Sequence, residues 1–102
     1  MPISVLNNSD KKITSIQVTQ QFDYSLHQAF RDAYRDVTVP GTTFRVDLSN
    51  ATYMDSSALG MILLLKEHAD KLGGQVLLSR PNDSVHKILT IANFDKFVKI
   101  ER

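Results

Sequence analysis

The segment Met54-Asp55-Ser56-Ser57-Ala58-Leu59-Gly60 sets a carboxylate directly before two hydroxyls, the grouping in this chain best suited to chemistry. Three uses are open to it. A serine nucleophile requires a base within hydrogen-bond reach and an oxyanion hole. The sequence has no Gly-x-Ser-x-Gly elbow. Its three histidines, His27, His68 and His86, all fall on predicted helices, and at most His27 can approach Ser56. An enzyme is therefore not expected. The second use is structural, since Asp and Ser are preferred helix N-caps and a carboxylate is stabilised at the positive end of a helix. The third is a functional hydroxyl at a strand-to-helix junction, the edge where α/β sheets place their ligand crevices. Residue types alone leave the second and third open.

Other chemistry is scarce. The sequence contains no Cys, which excludes disulfides and thiolate metal sites, and the histidines lack close ligand spacing, so no metal and no cofactor are expected. Gly73-Gly74 follows a helical pattern, which predicts a C-cap and not a phosphate-cradling loop.

The elements that must hold this segment follow from periodicity. Ile3 to Leu6 reads as a strand, Asn7 to Lys12 as a polar turn, and Ile13 to Thr19 as a second strand. The short turn predicts an antiparallel hairpin. Leu26, Ala29, Phe30, Ala33, Tyr34 and Val37 then form one stripe of an amphipathic helix, capped by Asp23 or Ser25 and ended before Pro40-Gly41. Phe44, Val46 and Leu48 alternate as a third strand, with a polar break predicted at Ser49-Asn50.

Ala58 to Leu72 reads as a second helix and Gln75 to Leu78 as a fourth strand. A third helix carries Val85, Ile88, Leu89 and Ala92 behind an Asn82 or Asp83 cap, and Phe97 to Ile100 closes the chain as a strand. Phe94 and Phe97 are expected in the core. The apolar run Met61 to Leu65 fits a helix shielded on two sides, with any exposed part near Ser56 acting as a contact patch. The order β-β-α-β-α-β-α-β implies an α/β fold, a mostly parallel sheet with an N-terminal antiparallel hairpin and helices mainly on one face. One domain over residues 1–102 is expected.

With 12 basic and 11 acidic residues interspersed, the net charge of +1 offers no basic stripe for nucleic acid. No apolar run approaches the length of a membrane span, and the first residues lack a signal-peptide pattern. The cytoplasm is the expected location, with neither membrane nor nucleic acid as partner.

The run from Val46-Asp47-Leu48 through Tyr53-Met54-Asp55-Ser56-Ser57-Ala58-Leu59-Gly60 resembles the signature of STAS domains, and more narrowly that of bacterial anti-sigma-factor antagonists. Gly73-Gly74 before a Val-Leu-Leu strand and Ile91-Ala92-Asn93-Phe94-Asp95-Lys96-Phe97 also fit, so the resemblance spans essentially the whole chain. It implies that Ser56 is a phosphoacceptor, with Asp23, Asp55 and Ser57 as its neighbours. The implied partners are an anti-sigma factor/serine kinase of the histidine-kinase-like ATPase type and a metal-dependent serine phosphatase. Phe22, Tyr24, Ala58, Leu59, Gly60 and Met61 are the expected partner-binding residues, and a monomer is expected. Two departures stand at this surface: Gln20 where the family commonly has Gly, and Ala58 in place of the usual Gly. Alternative STAS roles are a subunit of a lipid-trafficking ABC transporter, which requires no phosphoswitch, and a scaffold of large signalling assemblies.

Overall fold

The computed structural model describes residues 2–8 and 10–102; Ser9 of the predicted turn lies outside them, as does Met1. Strands β1 (Ile3–Asn8), β2 (Ile13–Phe22), β3 (Thr43–Met54), β4 (Gln75–Ser79) and β5 (Lys99–Glu101) form one sheet in sequential order. β1 pairs antiparallel with β2, and every later pair is parallel. Helices α1 (His27–Tyr34), α2 (Ser56–Lys71) and α3 (Asp83–Ile91) make the crossovers. This is the predicted order and pairing.

One core explains the arrangement. Ile16 and Val18 of β2, Phe44, Val46 and Leu48 of β3, and Val76 and Leu78 of β4 project to the same side. There they meet Phe30 and Tyr34 of α1, Met61, Ile62 and Leu65 of α2, and Val85 and Leu89 of α3. Each fully buried side chain of this size is stabilised by roughly 1.5–3 kcal/mol relative to exposure. The intervening strand residues, such as Ser15, Gln17, Arg45 and Asp47, point to the opposite face and stay half-buried.

Three local expectations are corrected. The polar break at Ser49-Asn50 does not end β3. Between Gln17 and Thr19, and again between Gln20 and Gln21, β3 carries one more residue than β2, so the extra residues are absorbed as bulges. Asp47 stabilises the first of them by accepting from the Ser49 amide at 3.0 Å. Secondly, α2 starts at Ser56, two residues before the predicted start, because Asp55 supplies the cap.

Thirdly, Phe97 is 52% exposed. Asn93 turns left-handed at φ 57 and opens a 3-10 turn at Phe94–Lys96, which sends Phe94 into the core and leaves Phe97 edge-on against it from outside. The final strand accordingly begins at Lys99.

Gly73 and Gly74 close α2 as expected. Gly73 adopts φ 69, and a Cβ on Gly74 would lie 1.9 Å from the Thr42 carbonyl oxygen, so the chain passes β3 too closely for any side chain.

Candidate functional site

β2 and β3 end in register at Phe22 and Met54. The next residue on each strand is an aspartate, and both aspartates perform the same local task. Asp23 is extended (φ −133) and accepts hydrogen bonds from the Ser25 amide at 2.9 Å and the Ser25 hydroxyl at 2.5 Å. Asp55 is extended (φ −116) and accepts from the Ser57 amide at 3.0 Å, the Ser57 hydroxyl at 2.5 Å and the Ala58 amide at 3.3 Å. Asp23-Tyr24-Ser25 and Asp55-Ser56-Ser57 are therefore twin Asp-x-Ser turns at the ends of adjacent strands, which lie about 4.8 Å apart in a sheet. The hydroxyl of Ser57, followed by the Ala58 and Ser57 amides, favours the ionised form of Asp55 over a smaller opposing effect of burial, and holds its carboxyl below the usual range.

The two serines after Asp55 are thereby given different roles. Ser57 is half-buried, with its hydroxyl held by the cap. Ser56 occupies the first helical position, is exposed, and makes no side-chain hydrogen bond among the described residues. An anion on Ser56 would face the free amide end of α2, where negative charge is stabilised.

The expected contact residues divide into a support and a surface. Phe22 and Ala58 are completely buried and Met61 nearly so; they hold the site from beneath and present nothing to a partner. Ala58 is buried in the core, so a methyl where the resemblance leads one to expect Gly fits there and leaves the surface unchanged. Tyr24 is 66% exposed and stacks on His27 with ring centroids 5.0 Å apart. Gly60 is exposed, Leu59 is half-buried, and a Cβ on Gly60 would meet nothing within 4 Å.

Leu63 and Leu64 are exposed at 41% and 51%, so the apolar run leaves a patch about two turns beyond Ser56. The run was expected to supply a contact patch wherever it stays exposed, and packing selects these two leucines. The signal for them was the excess of apolar residues in the first half of α2, more than one buried face needs.

Beside this strip, α1 and α2 enclose a groove of about 300 Å³. Its rim carries Arg31, Arg35 and Lys71, against Glu67 as the sole carboxylate among its lining residues. His68 bonds the Val37 carbonyl at 2.8 Å and packs on Tyr34 and Phe44, which makes it structural. Gln20, at the position where the resemblance leads one to expect Gly, has φ 64. The left-handed backbone explains that expectation, because only glycine adopts it without strain.

Comparison with known proteins places these features in a family. The family described as Mlab, STAS domain matches residues 7–100. A STAS-domain containing protein of Pseudomonas aeruginosa strain UCBPP-PA14 is 46% identical over 100 residues, which cover 98% of this chain and 99% of that protein. The solved structure of the anti-sigma factor antagonist SpoIIAA in its unphosphorylated form aligns with TM-score 0.76 at 17% identity, over 96% of this chain and 86% of that one. A sulfate transporter family protein from Wolinella succinogenes aligns with TM-score 0.77 at 13% identity, over 88% of this chain and 76% of that one. At such identities the solved structures establish the fold. No helix among the described residues is long and apolar enough to cross a membrane.

Proposed function

The chain belongs to the STAS domain family, and we propose that within it this protein is a partner-switching regulator of the anti-sigma-factor antagonist kind, set by phosphorylation of Ser56. The observation that carries this reading is the unequal treatment of the two serines. Asp55 occupies the Ser57 hydroxyl and leaves Ser56 exposed at the mouth of a helix. In the transfer step the γ-phosphoryl of ATP passes to Ser56 Oγ. The bond to the ADP oxygen breaks, and the hydroxyl proton leaves to a base or water.

Unphosphorylated, the surface of Tyr24, Leu59, Gly60, Leu63 and Leu64 suits close apolar contact with a kinase/anti-sigma factor. On the rim of the neighbouring groove, Arg31 suits an acidic group on the same partner, while Arg35 and Lys71 are already paired with Asp32 and Glu67. A phosphoserine adds about −1.5 to −2 charges at this surface. Against one partner carboxylate about 6 Å away this amounts to roughly 1 to 5 kcal/mol as the effective dielectric falls from 80 to 20. The partner is released without refolding, and a metal-dependent serine phosphatase resets the switch. No catalytic role is assigned to the chain itself, and it acts in the cytoplasm as a monomer. Incubation with the cognate kinase and ATP, followed by peptide mass spectrometry, should place the phosphate on Ser56; stoichiometric phosphate on Ser57 or elsewhere overturns the proposal.

A second reading is favoured by the Mlab description of the family and by the transporter-family neighbour. The same apolar strip would then brace a transporter ATPase permanently, and Ser56 would be only the first residue of α2.

A further inference from the structure

The groove between α1 and α2 holds a polar atom that the switch does not use. Phe30 and Tyr34 of α1 and Met61 of α2 are its buried lining. Tyr34 is only 6% exposed, and its ring is fixed by Phe30, Phe44 and His68, with centroids 5.9, 6.5 and 5.2 Å away. Its hydroxyl makes no hydrogen bond among the described residues. A buried tyrosine hydroxyl usually has a partner. This one is not sealed in. Among the described residues, the enclosed side-chain polar atoms that lack a partner are Arg45 Nε and Ser79 Oγ, whereas Tyr34 lines the groove.

Two charges act on this phenol. Burial, the largest influence, pushes its pKa above the ordinary value of 10.0; Arg31 lowers it, and Glu67 raises it by less than Arg31 lowers it. The hydroxyl therefore keeps its proton near neutral pH and can donate, and the stronger of its two charged neighbours is a cation. Glu67 is engaged by Lys71 at 3.8 Å and Arg35 by Asp32 at 3.4 Å, while Arg31 has no ion pair among the described residues. A fixed donor and a free guanidinium thus serve one end of an otherwise apolar groove. At about 300 Å³ it lies at the lower limit of small-molecule sites, room for one side chain and not for a cofactor. Leu64 belongs both to this groove and to the exposed apolar strip of α2, so the groove is continuous with the proposed partner surface.

We propose that this groove is an anchor for the protein partner, taking one apolar side chain of a peptide segment together with an adjacent carboxylate that accepts from the Tyr34 hydroxyl and pairs with Arg31. The carboxylate answers the unpartnered donor and the unpaired cation at once, with Phe30 and Met61 left to the apolar part. The inference rests on the reading of this surface as a partner surface, and not on phosphorylation of Ser56, since a permanent brace would use the same anchor.

The full chain, 15N-labelled, would be titrated at pH 7 with N-acetylphenylalanine and, separately, with its uncharged amide, at constant ionic strength. Saturable shifts of the α1 and α2 amides along the groove are expected with the acid, and binding of the amide should be about tenfold weaker or more. Tyr34→Phe removes only an unpartnered hydroxyl and should weaken binding of the acid about tenfold or more, the loss expected for a hydrogen bond to a charged group. Arg31→Gln, on the exposed rim, is the second variant and should act in the same direction. A linear drift with the acid overturns the site, and equal affinity for acid and amide overturns the carboxylate assignment. Unchanged affinity in both folded variants overturns the roles of Tyr34 and Arg31. Calorimetry with the purified kinase separates the anchor from the switch: Tyr34→Phe should lose about tenfold in affinity even in a Ser56→Ala background. Kinase binding without that loss overturns the anchor and leaves the switch standing. A kinase that ignores the wild type counts against the switch, and the acid titration then decides the groove by itself.

Discussion

The backbone N–H of Asp55 donates to the carbonyl of Phe22 at 3.4 Å, tying the twin Asp-x-Ser turns together where β2 and β3 end. Tyr24 and Ser56, the middle residues of the two turns, both lie exposed just past the ends of these adjacent strands.

Mimics of the two states separate the proposed switch from the bracing role. Ser56→Ala should retain kinase binding and Ser56→Asp should weaken it. Both should remain folded, because the cap of α2 is provided by Asp55 and not by Ser56. Calorimetry with the purified kinase is the measurement. Equal affinities for the two variants favour the permanent brace.

Asp23→Asn tests whether the first turn takes part in phosphoryl transfer. Asn keeps an oxygen that can accept from the Ser25 amide and hydroxyl, so thermal stability should stay within about 1 kcal/mol of wild type. The phosphorylation rate is expected to fall tenfold or more, a loss of about 1.4 kcal/mol or more from the transition state. A normal rate in the folded variant reduces Asp23 to a cap.

Acid should weaken the second turn. The folded-state pKa of Asp55 is depressed below its ordinary value of 3.8, chiefly by the Ser57 hydroxyl. Its contribution is therefore fully present above the unfolded pKa of about 4 and is lost as pH falls through the folded value. Ser57→Ala removes the largest cause of the depression. Denaturation midpoints from pH 7 down to pH 2 should accordingly show a smaller loss for Ser57→Ala than for wild type. Parallel curves would mean that the hydroxyl does not hold the carboxylate in solution.

Gly60 and Gly74 should behave oppositely on replacement by Ala. Gly60 has open space around its missing Cβ, so Gly60→Ala should stabilise the helix by up to about 1 kcal/mol. If a partner covers this turn closely, the same change should weaken kinase binding. At Gly74 a Cβ would collide with the Thr42 backbone, and Gly74→Ala should destabilise by about 1–3 kcal/mol or more. Thermal melts and one binding isotherm separate the two effects.

What the sequence made legible was whatever repeats. Periods of two and near four located all five strands and three helices, and the Asp-Ser-Ser signature falls at the β3-to-α2 junction. Features that depend on a neighbouring strand were not legible. The Ser49-Asn50 interruption reads as a loop until the register with β2 turns it into bulges. Phe97 reads as core until the left-handed turn at Asn93 carries it outside. Phe22 and Ala58 sit in a surface motif yet face inward, because the alternation of β2 and the first turn of α2 both direct them to the sheet. The excess of leucine in α2 was visible, but which of its members stay exposed was settled only by packing.

Ser56 and its cap hang from β2 and β3, strands flanked on both sides, while β1 and β5 form the margins of the sheet. Amide protons of β1, where only Ile3 is buried, should exchange in the earliest local openings, and those of β2 and β3 only with the rarest. Under the proposed switch, a phosphate on Ser56 would sit at the end of the strands expected to open last, insulated from breathing at the margins. Its lifetime would then be governed by the enzymes that add and remove it, and not by the protein's own fluctuations.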